Sequence, residues 1–173
     1  MYYFTSDLHF DHANIIKYCA RPFSSVEEMN EALIENFNKT VRAKDTCYIL
    51  GDVLMYDTDN ARKCLERLHG HLYLVRGNHD PFKDNDPRFG WIKDYYKLRF
   101  DHKKFILCHY PFVSWDGMEK GASYHLHGHQ HNGPDYNIQQ RADGLKRYDV
   151  GVDANGFKPV SLEEIITFFE KDK

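Results

Sequence analysis

The chain has no long hydrophobic run. Stretches such as Cys47-Tyr48-Ile49-Leu50 stop after four residues, far short of the ~20 that span a bilayer, so no membrane partner is expected. It has no excess of positive charge either: 23 Lys and Arg stand against 26 Asp and Glu, for a net charge of -3. That excludes a binder held to nucleic acid by a broad basic surface, although a local face around residues such as Lys103 and Lys104 escapes the argument. Cysteine is sparse. The four, Cys19, Cys47, Cys64 and Cys108, are scattered without a C-x-x-C pair, which predicts reduced, mostly buried thiols. The segment from Met1 to Asp7 offers no positive n-region and no long apolar stretch, so a signal peptide is not expected and the cytoplasm is the default compartment. Repeats, linkers and low-complexity segments are also missing. At 173 residues with 42% hydrophobic and 28% charged side chains, one folded domain spanning 1–173 is expected.

What the chain does have is histidine, 11 in all, and several follow short apolar runs directly. The runs Tyr2–Ser6, Thr46–Leu50 and His71–Arg76 read as strands. Between them lie helical stripes: Ile15, Ile16 and Cys19; then Val26, Met29, Leu33 and Phe37 behind a capping box of Ser25 and Glu28; then Ala61, Cys64, Leu65 and Leu68, with Asp59 as the cap. The order β-α-α-β-α-β predicts a parallel sheet. The second half reads as shorter strands, at Tyr95–Phe100, Lys104–His109, Tyr124–His127 and Arg147–Val152, in a second sheet rich in hairpins. A last helix follows Pro159, with a capping box of Ser161 and Glu164.

Several strand candidates end in metal-type side chains. The first leads to Asp7 and His9, the second to Asp52, the third to Asn78 and His79. A fourth runs into His109, and a fifth leads through Gly128 to His129 and His131. Ligand sites of open α/β sheets lie beyond the carboxyl ends of the strands, so these groups should meet. In extended backbone the pairs 7/9 and 129/131 point the same way. Gly51, Gly77 and Gly128, each just before a candidate ligand, remove a side chain where the chain must turn close to the site. Alone, each piece has a plainer reading as a turn or a chance pair; all five in this order leave little room for chance. Asp7, His9, Asp52, Asn78, His109, His129 and His131 are more ligands than one ion needs, and suit two divalent ions sharing a bridging carboxylate. The absence of a thiolate argues against structural zinc.

With these motifs in place, the chain resembles the calcineurin-like metallophosphoesterase superfamily, whose D-x-H, G-D, G-N-H-[DE], H and G-H-x-H motifs stand here at Asp7-Leu8-His9, Gly51-Asp52, Gly77-Asn78-His79-Asp80, His109 and Gly128-His129-Gln130-His131. The opening from Phe4 to Ile16 is similar to small bacterial and phage phosphoesterases of that superfamily. The resemblance implies an α/β fold, a four-layer αββα sandwich of two mixed β-sheets flanked by helices. It also implies one metal held by Asp7, His9, Asp52 and His131 and a second by Asp52, Asn78, His109 and His129. His79 matches the histidine that contacts substrate without binding metal, and a general acid for the leaving oxygen is the role it implies. Some branches orient that histidine with an Asp three residues after the bridging one. Met55 stands there in this chain, leaving Asp57 or Asp80 to serve. His12 and Arg21 are further candidates for phosphate contact, against plainer readings as a helix-cap neighbour and a surface ion pair.

The implied activity is hydrolysis of phosphomonoesters or phosphodiesters by a two-metal, bridging-hydroxide mechanism, with a small phosphoester as substrate. Two divalent ions, two Asp carboxylates and one hydroxide leave the centre positive, which attracts phosphate, and a metal lowers the pKa of a bound water from 15.7 to about 7. The mixed donor set suits Mn²⁺, Fe, Ni²⁺ or Zn²⁺, with Mn²⁺ favoured. A nuclease or nucleotide or cyclic-nucleotide phosphodiesterase is the alternative among enzymes; a nucleic-acid partner is not favoured. A non-catalytic scaffold is the other class, and retention of His79 with all seven ligands argues against it.

Overall fold

The computed structural model describes residues 1–170; the last three residues of the expected 1–173 domain lie outside that range. The first half follows the expected order: β1 (Tyr2–Thr5), α1 (Ala13–Tyr18), α2 (Val26–Thr40), β2 (Thr46–Ile49), α3 (Asp59–Glu66) and β3 (His71–Val75). Then come β4 (Ile92–Lys93), β5 (Tyr96–Phe100), β6 (Lys103–Leu107), β7 (Ser123–His127), α4 (Asp135–Ala142), β8 (Arg147–Asp149), β9 (Val160–Ser161) and α5 (Leu162–Glu170). The helix starts obey capping chemistry with two adjustments. Ser25 accepts from the Glu28 amide, but the Glu28 carboxylate returns chiefly to Ser24. Thr58, not Asp59, caps α3: its hydroxyl accepts from the Ala61 amide, and Asp59 becomes the first helical residue. Ser161 and Glu164 form the full reciprocal box.

Two mixed sheets result. The first has the order β4-β3-β2-β1-β9, parallel throughout except for β9. The second has the order β5-β6-β7-β8. Here the expectation of a hairpin-rich sheet is corrected. Only β5 and β6 form a hairpin, turning at Asp101 and His102, both with positive φ. β6, β7 and β8 run parallel. Their connections are crossovers: the segment from Cys108 to Ala122, and α4, which sequence reading missed. The side chains that α4 buries are Asn137 and Gln140, so it carries no apolar stripe to read.

Strand alternation sorts the core into two layers. Tyr3, Cys47, Ile49, Leu72 and Leu74 face α1, α2 and α3, where Ile15, Met29, Leu33, Phe37, Ala61 and Leu65 meet them. Phe4, Tyr48, Leu50 and Val75 face the second sheet and pack on Leu98, Phe105, Leu107, Tyr124 and Leu126, with Leu162 and Ile165 of α5 in the same layer. On the outer face of the second sheet, His125 and His127 lie against Phe112, Trp115 and Tyr136. The architecture is therefore the four-layer αββα sandwich. Among the described residues no helix is long and apolar enough to cross a membrane.

Candidate metal centre

All seven candidate ligands stand just past the carboxyl ends of β1, β2, β3, β6 and β7. The ladder between β1 and β2 continues beyond both strands: the amides of Asp7, His9 and Phe10 donate to the carbonyls of Gly51, Asp52 and Val53 at 3.0, 3.0 and 2.9 Å. The second sheet joins this end through Ser6, which bridges to Gly151 and whose carbonyl accepts from Val152 at 3.1 Å. Glycine is required where these loops touch. A Cβ at Gly128 would collide with Ser6 and Asp7, and one at Gly77 with Asp52.

The backbone here is not extended, which corrects the alternation argument for the pairs 7/9 and 129/131. Asp7, His9, Asp52, His129 and His131 all have positive φ, between 50° and 73°. Asn78 and His79 sit in a bend. Five of seven candidate ligands in a region that non-glycine residues seldom visit is the kind of local strain that functional sites hold. Hydrogen bonds stabilise it. The Asp80 carboxylate accepts from the amides of Asp52, Val53 and Gly77 at 2.9, 2.8 and 2.8 Å, locking the loops after β2 and β3 together. Asp80 therefore does not orient the His79 ring. Neither does Asp57, which pairs with Arg62. The His79 amide, in turn, donates to Asp52 Oδ1 at 3.0 Å.

The side chains gather in two groups with a common member between them. Ligand atoms of Asp7, His9 and His131 lie within 4.8 Å of one another, as do those of Asp52, His109 and His129. Asp52 Oδ2 is 3.6 Å from His9 Nε2 and 3.5 Å from His109 Nε2. Asn78 Oδ1 joins the second group, 3.1 Å from His109 Nε2. His79 stands at the edge, half-buried, its ring centroid 5.8 Å from that of His9.

The donors are prepared for a cation. Both ring nitrogens of His9 are buried without a hydrogen-bond partner, an arrangement that protein interiors rarely leave unsatisfied. Burial keeps that ring neutral, its pKa lowered to about 2. His109 Nδ1–H donates to the Leu50 carbonyl at 2.7 Å, leaving Nε2 to face Asp52 and Asn78. Burial opposes ionisation of Asp52, but His109, the His79 amide and His9 outweigh it and hold the carboxyl at about 2. Asp7 is raised to about 6 by burial, despite the opposing His131, His109 and Ser6. Imidazole, carboxylate and amide oxygen in this arrangement fit divalent metal ions.

Sequence reading missed the layer behind these ligands. His131 Nδ1–H donates to Asp153 at 2.8 Å, which turns Nε2 toward Asp7. Burial disfavours a charged His131 ring, but Asp153, Cys19 and Asp7 outweigh it and push its pKa to about 10. Arg21 is neither a phosphate contact nor a surface ion pair. It is buried, forks onto both Asp153 oxygens at 2.8 and 2.9 Å, and donates to the carbonyls of Asp7 and Leu8. Cys19, His131 and Asp153 also cluster closely enough for a metal, yet the Arg21 guanidinium already occupies that carboxylate. His12 is the N-cap residue of α1 without a side-chain cap bond. Its buried ring packs 5.5 Å from His9, and burial lowers its pKa, with His79, Arg21 and His131 adding to the effect.

Comparison with known proteins agrees with this geometry. A family model for calcineurin-like phosphoesterases matches residues 2–105. The chain is 40% identical over 173 residues to the uncharacterized protein MJ1445 of Methanocaldococcus jannaschii, covering 99% of this chain and 92% of that one. Among solved structures, the protein AQ665 of unknown function from Aquifex aeolicus matches with a TM-score of 0.77 and 27% identity, over 96% of this chain and 98% of that one. Yfce, a phosphoesterase from E. coli, shares the fold at a TM-score of 0.50 and 15% identity, over 93% and 81% of the two chains. The family implies divalent metal ions, for which the clustered His and Asp side chains supply the donors, and the chain belongs to the calcineurin-like phosphoesterases.

Proposed function

We propose that the protein hydrolyses small phosphomonoesters or phosphodiesters at a centre of two divalent ions. Asp7, His9, Asp52 and His131 would hold one ion; Asp52, Asn78, His109 and His129 would hold the other. The observation that carries this reading is the place of Asp52, one of whose oxygens faces a ring nitrogen of each group at 3.6 and 3.5 Å. Ions there would lower the pKa of a coordinated water and polarise a phosphoryl oxygen. The chain's own part is orientation and proton supply. Asp153 and the Leu50 carbonyl fix the tautomers of His131 and His109, as hydrogen-bond partners behind metal ligands do. His79, free of the ligand groups, would give its proton to the leaving oxygen. Mn²⁺ is the favoured ion for this donor set, with Fe, Ni²⁺ and Zn²⁺ as alternatives.

A nucleic-acid substrate is less favoured on charge. Lys103 and Lys104, the lysines considered for a basic face, pair with Glu170 and Asp116 at 3.5 and 3.0 Å. They also start β6, whose other end leads to the site.

Elemental analysis after metal reloading is expected to give about two ions per chain, and Asp52→Asn should weaken both positions because they share it. A stoichiometry of one at saturating metal overturns the shared centre. His79→Asn should lose roughly 10²–10⁴-fold on an alkyl or nucleoside phosphoester, and far less on the p-nitrophenyl ester, whose leaving group needs no proton. Equal losses on both would make His79 a phosphate-binding residue instead.

A further inference from the structure

Among the described residues eight large apolar side chains are exposed, and two of them flank His12, a histidine beside the centre. Tyr18 is 75% exposed and Tyr56 60% exposed. Their rings stand edge-on to His12, at 6.3 and 6.2 Å between centroids and 71° and 81° between planes. His12 itself is 7% exposed, and its Nδ1 has no hydrogen-bond partner. Its ring contacts that of His9, which in turn contacts that of His79. The three aromatic side chains therefore adjoin the centre at His9, the ring that His79 also contacts, and a leaving group protonated by His79 would lie beside that same ring.

The group is held in place and is not a loose surface feature. Asp11, with φ 63°, accepts from the Thr58 hydroxyl at 2.7 Å and from the Asn60 side-chain Nδ2 at 2.6 Å. Phe10 bridges to Leu54. The loop carrying His12 is thus tied on both sides of Tyr56. Exposed tyrosine rings offer stacking faces at low conformational cost, and every nucleobase has a π-face to match.

We propose that His12, Tyr18 and Tyr56 form a leaving-group subsite that selects small phosphoesters whose alcohol is a nucleoside. This deepens the phosphoesterase reading and rests on it. A small nucleotide fits the chain better than a polymer, given the net charge of -3 and the paired lysines.

The test compares a nucleoside 5′-monophosphate with ribose 5-phosphate, which lacks the base, on protein loaded with Mn²⁺. Activity is followed as kcat/KM, and binding is followed separately by calorimetry. The wild type is expected to favour the nucleotide roughly tenfold or more, the scale of stacking on one or two rings. The preference should fall toward one in Tyr18→Ala/Tyr56→Ala and return in Tyr18→Phe/Tyr56→Phe, which keep the rings. Equal handling of the two compounds by the wild type overturns the subsite. So does a preference that survives loss of both rings, or one abolished only by Tyr110→Ala, since Tyr110 lies across the centre against His109 and His129. If no phosphoester, p-nitrophenyl esters included, is hydrolysed with any metal, the phosphoesterase reading fails. The calorimetric preference and its loss in the alanine pair still decide the subsite.

Discussion

Arg21 and Asp153 show how much of the candidate centre depends on residues that stand behind its candidate ligands. Arg21 donates to the Asp7 carbonyl at 2.7 Å and holds Asp153, and Asp153 orients His131. One guanidinium thus supports two ligands from opposite ends of the chain. Removing it would break a buried ion pair and leave the Asp153 carboxylate with His131 alone as a partner in a nearly water-free place; breaking such a pair typically destabilises by about 3–5 kcal/mol. Arg21→Ala is therefore expected to lower the melting temperature sharply, and Arg21→Lys to recover it only in part, because an ammonium cannot fork. Asp153→Asn should weaken metal binding by roughly 10–100-fold, measured by metal titration. Unchanged affinity in that variant would mean that His131 needs no orienting partner.

At the level of elements, β6 and β7 are held by histidines that serve structure. His125 Nδ1–H donates to the Ile106 carbonyl at 3.1 Å, and its Nε2 accepts from the Phe112 amide at 2.9 Å, which pins the crossover segment onto the sheet. The second bond needs a neutral ring, because a protonated Nε2 cannot accept. Burial first, then His127 and Arg147, lower its pKa to about 3, against the opposing pull of its backbone bonds. In the unfolded chain the value is near 6.5. Above about pH 6.5 both states are neutral and the stabilisation is whole. As the pH falls toward 3, the unfolded chain takes up a proton that the folded one refuses, and stability is lost at up to ~1.4 kcal/mol per pH unit. His125→Gln should show a shallower fall of melting temperature between pH 6.5 and 4 than the wild type. An identical slope would assign the acid sensitivity to other groups. The edge strand β8 depends on an equally polar device. Asn137 of α4 accepts from the Asp149 amide at 2.7 Å and donates to its carbonyl at 3.0 Å, so one side-chain amide pairs a strand edge that would otherwise be open.

Across the whole molecule, the two apolar layers and the candidate metal centre are separate. The layers lie between helices and sheet and between sheet and sheet; the candidate ligands crown the strand ends. Cohesion therefore comes from the core, and a bound metal adds to it by linkage. A chelator is expected to lower the melting temperature of the metal-loaded protein and to leave its far-UV circular dichroism largely intact. Complete unfolding at room temperature would reveal a structural metal site.

The sequence by itself determined the order of the elements in the first half and the places of all seven candidate ligands. Those signals are local: period-two and helical spacing, capping pairs, and short motifs set at strand ends. Only the tertiary structure decided what stands behind and beside the ligands. Arg21 meets Asp153 across 132 positions, Asp80 turned from a supposed partner of His79 into a clamp on two loops, and Tyr18 and Tyr56 each came to stand edge-on to His12. The second sheet was misread for the same reason. α4 docks through amides and leaves no periodic trace, and the same holds in the first sheet for β4 and β9, each two residues long. Such features are contacts between distant segments, and they exist only once packing has brought those segments together.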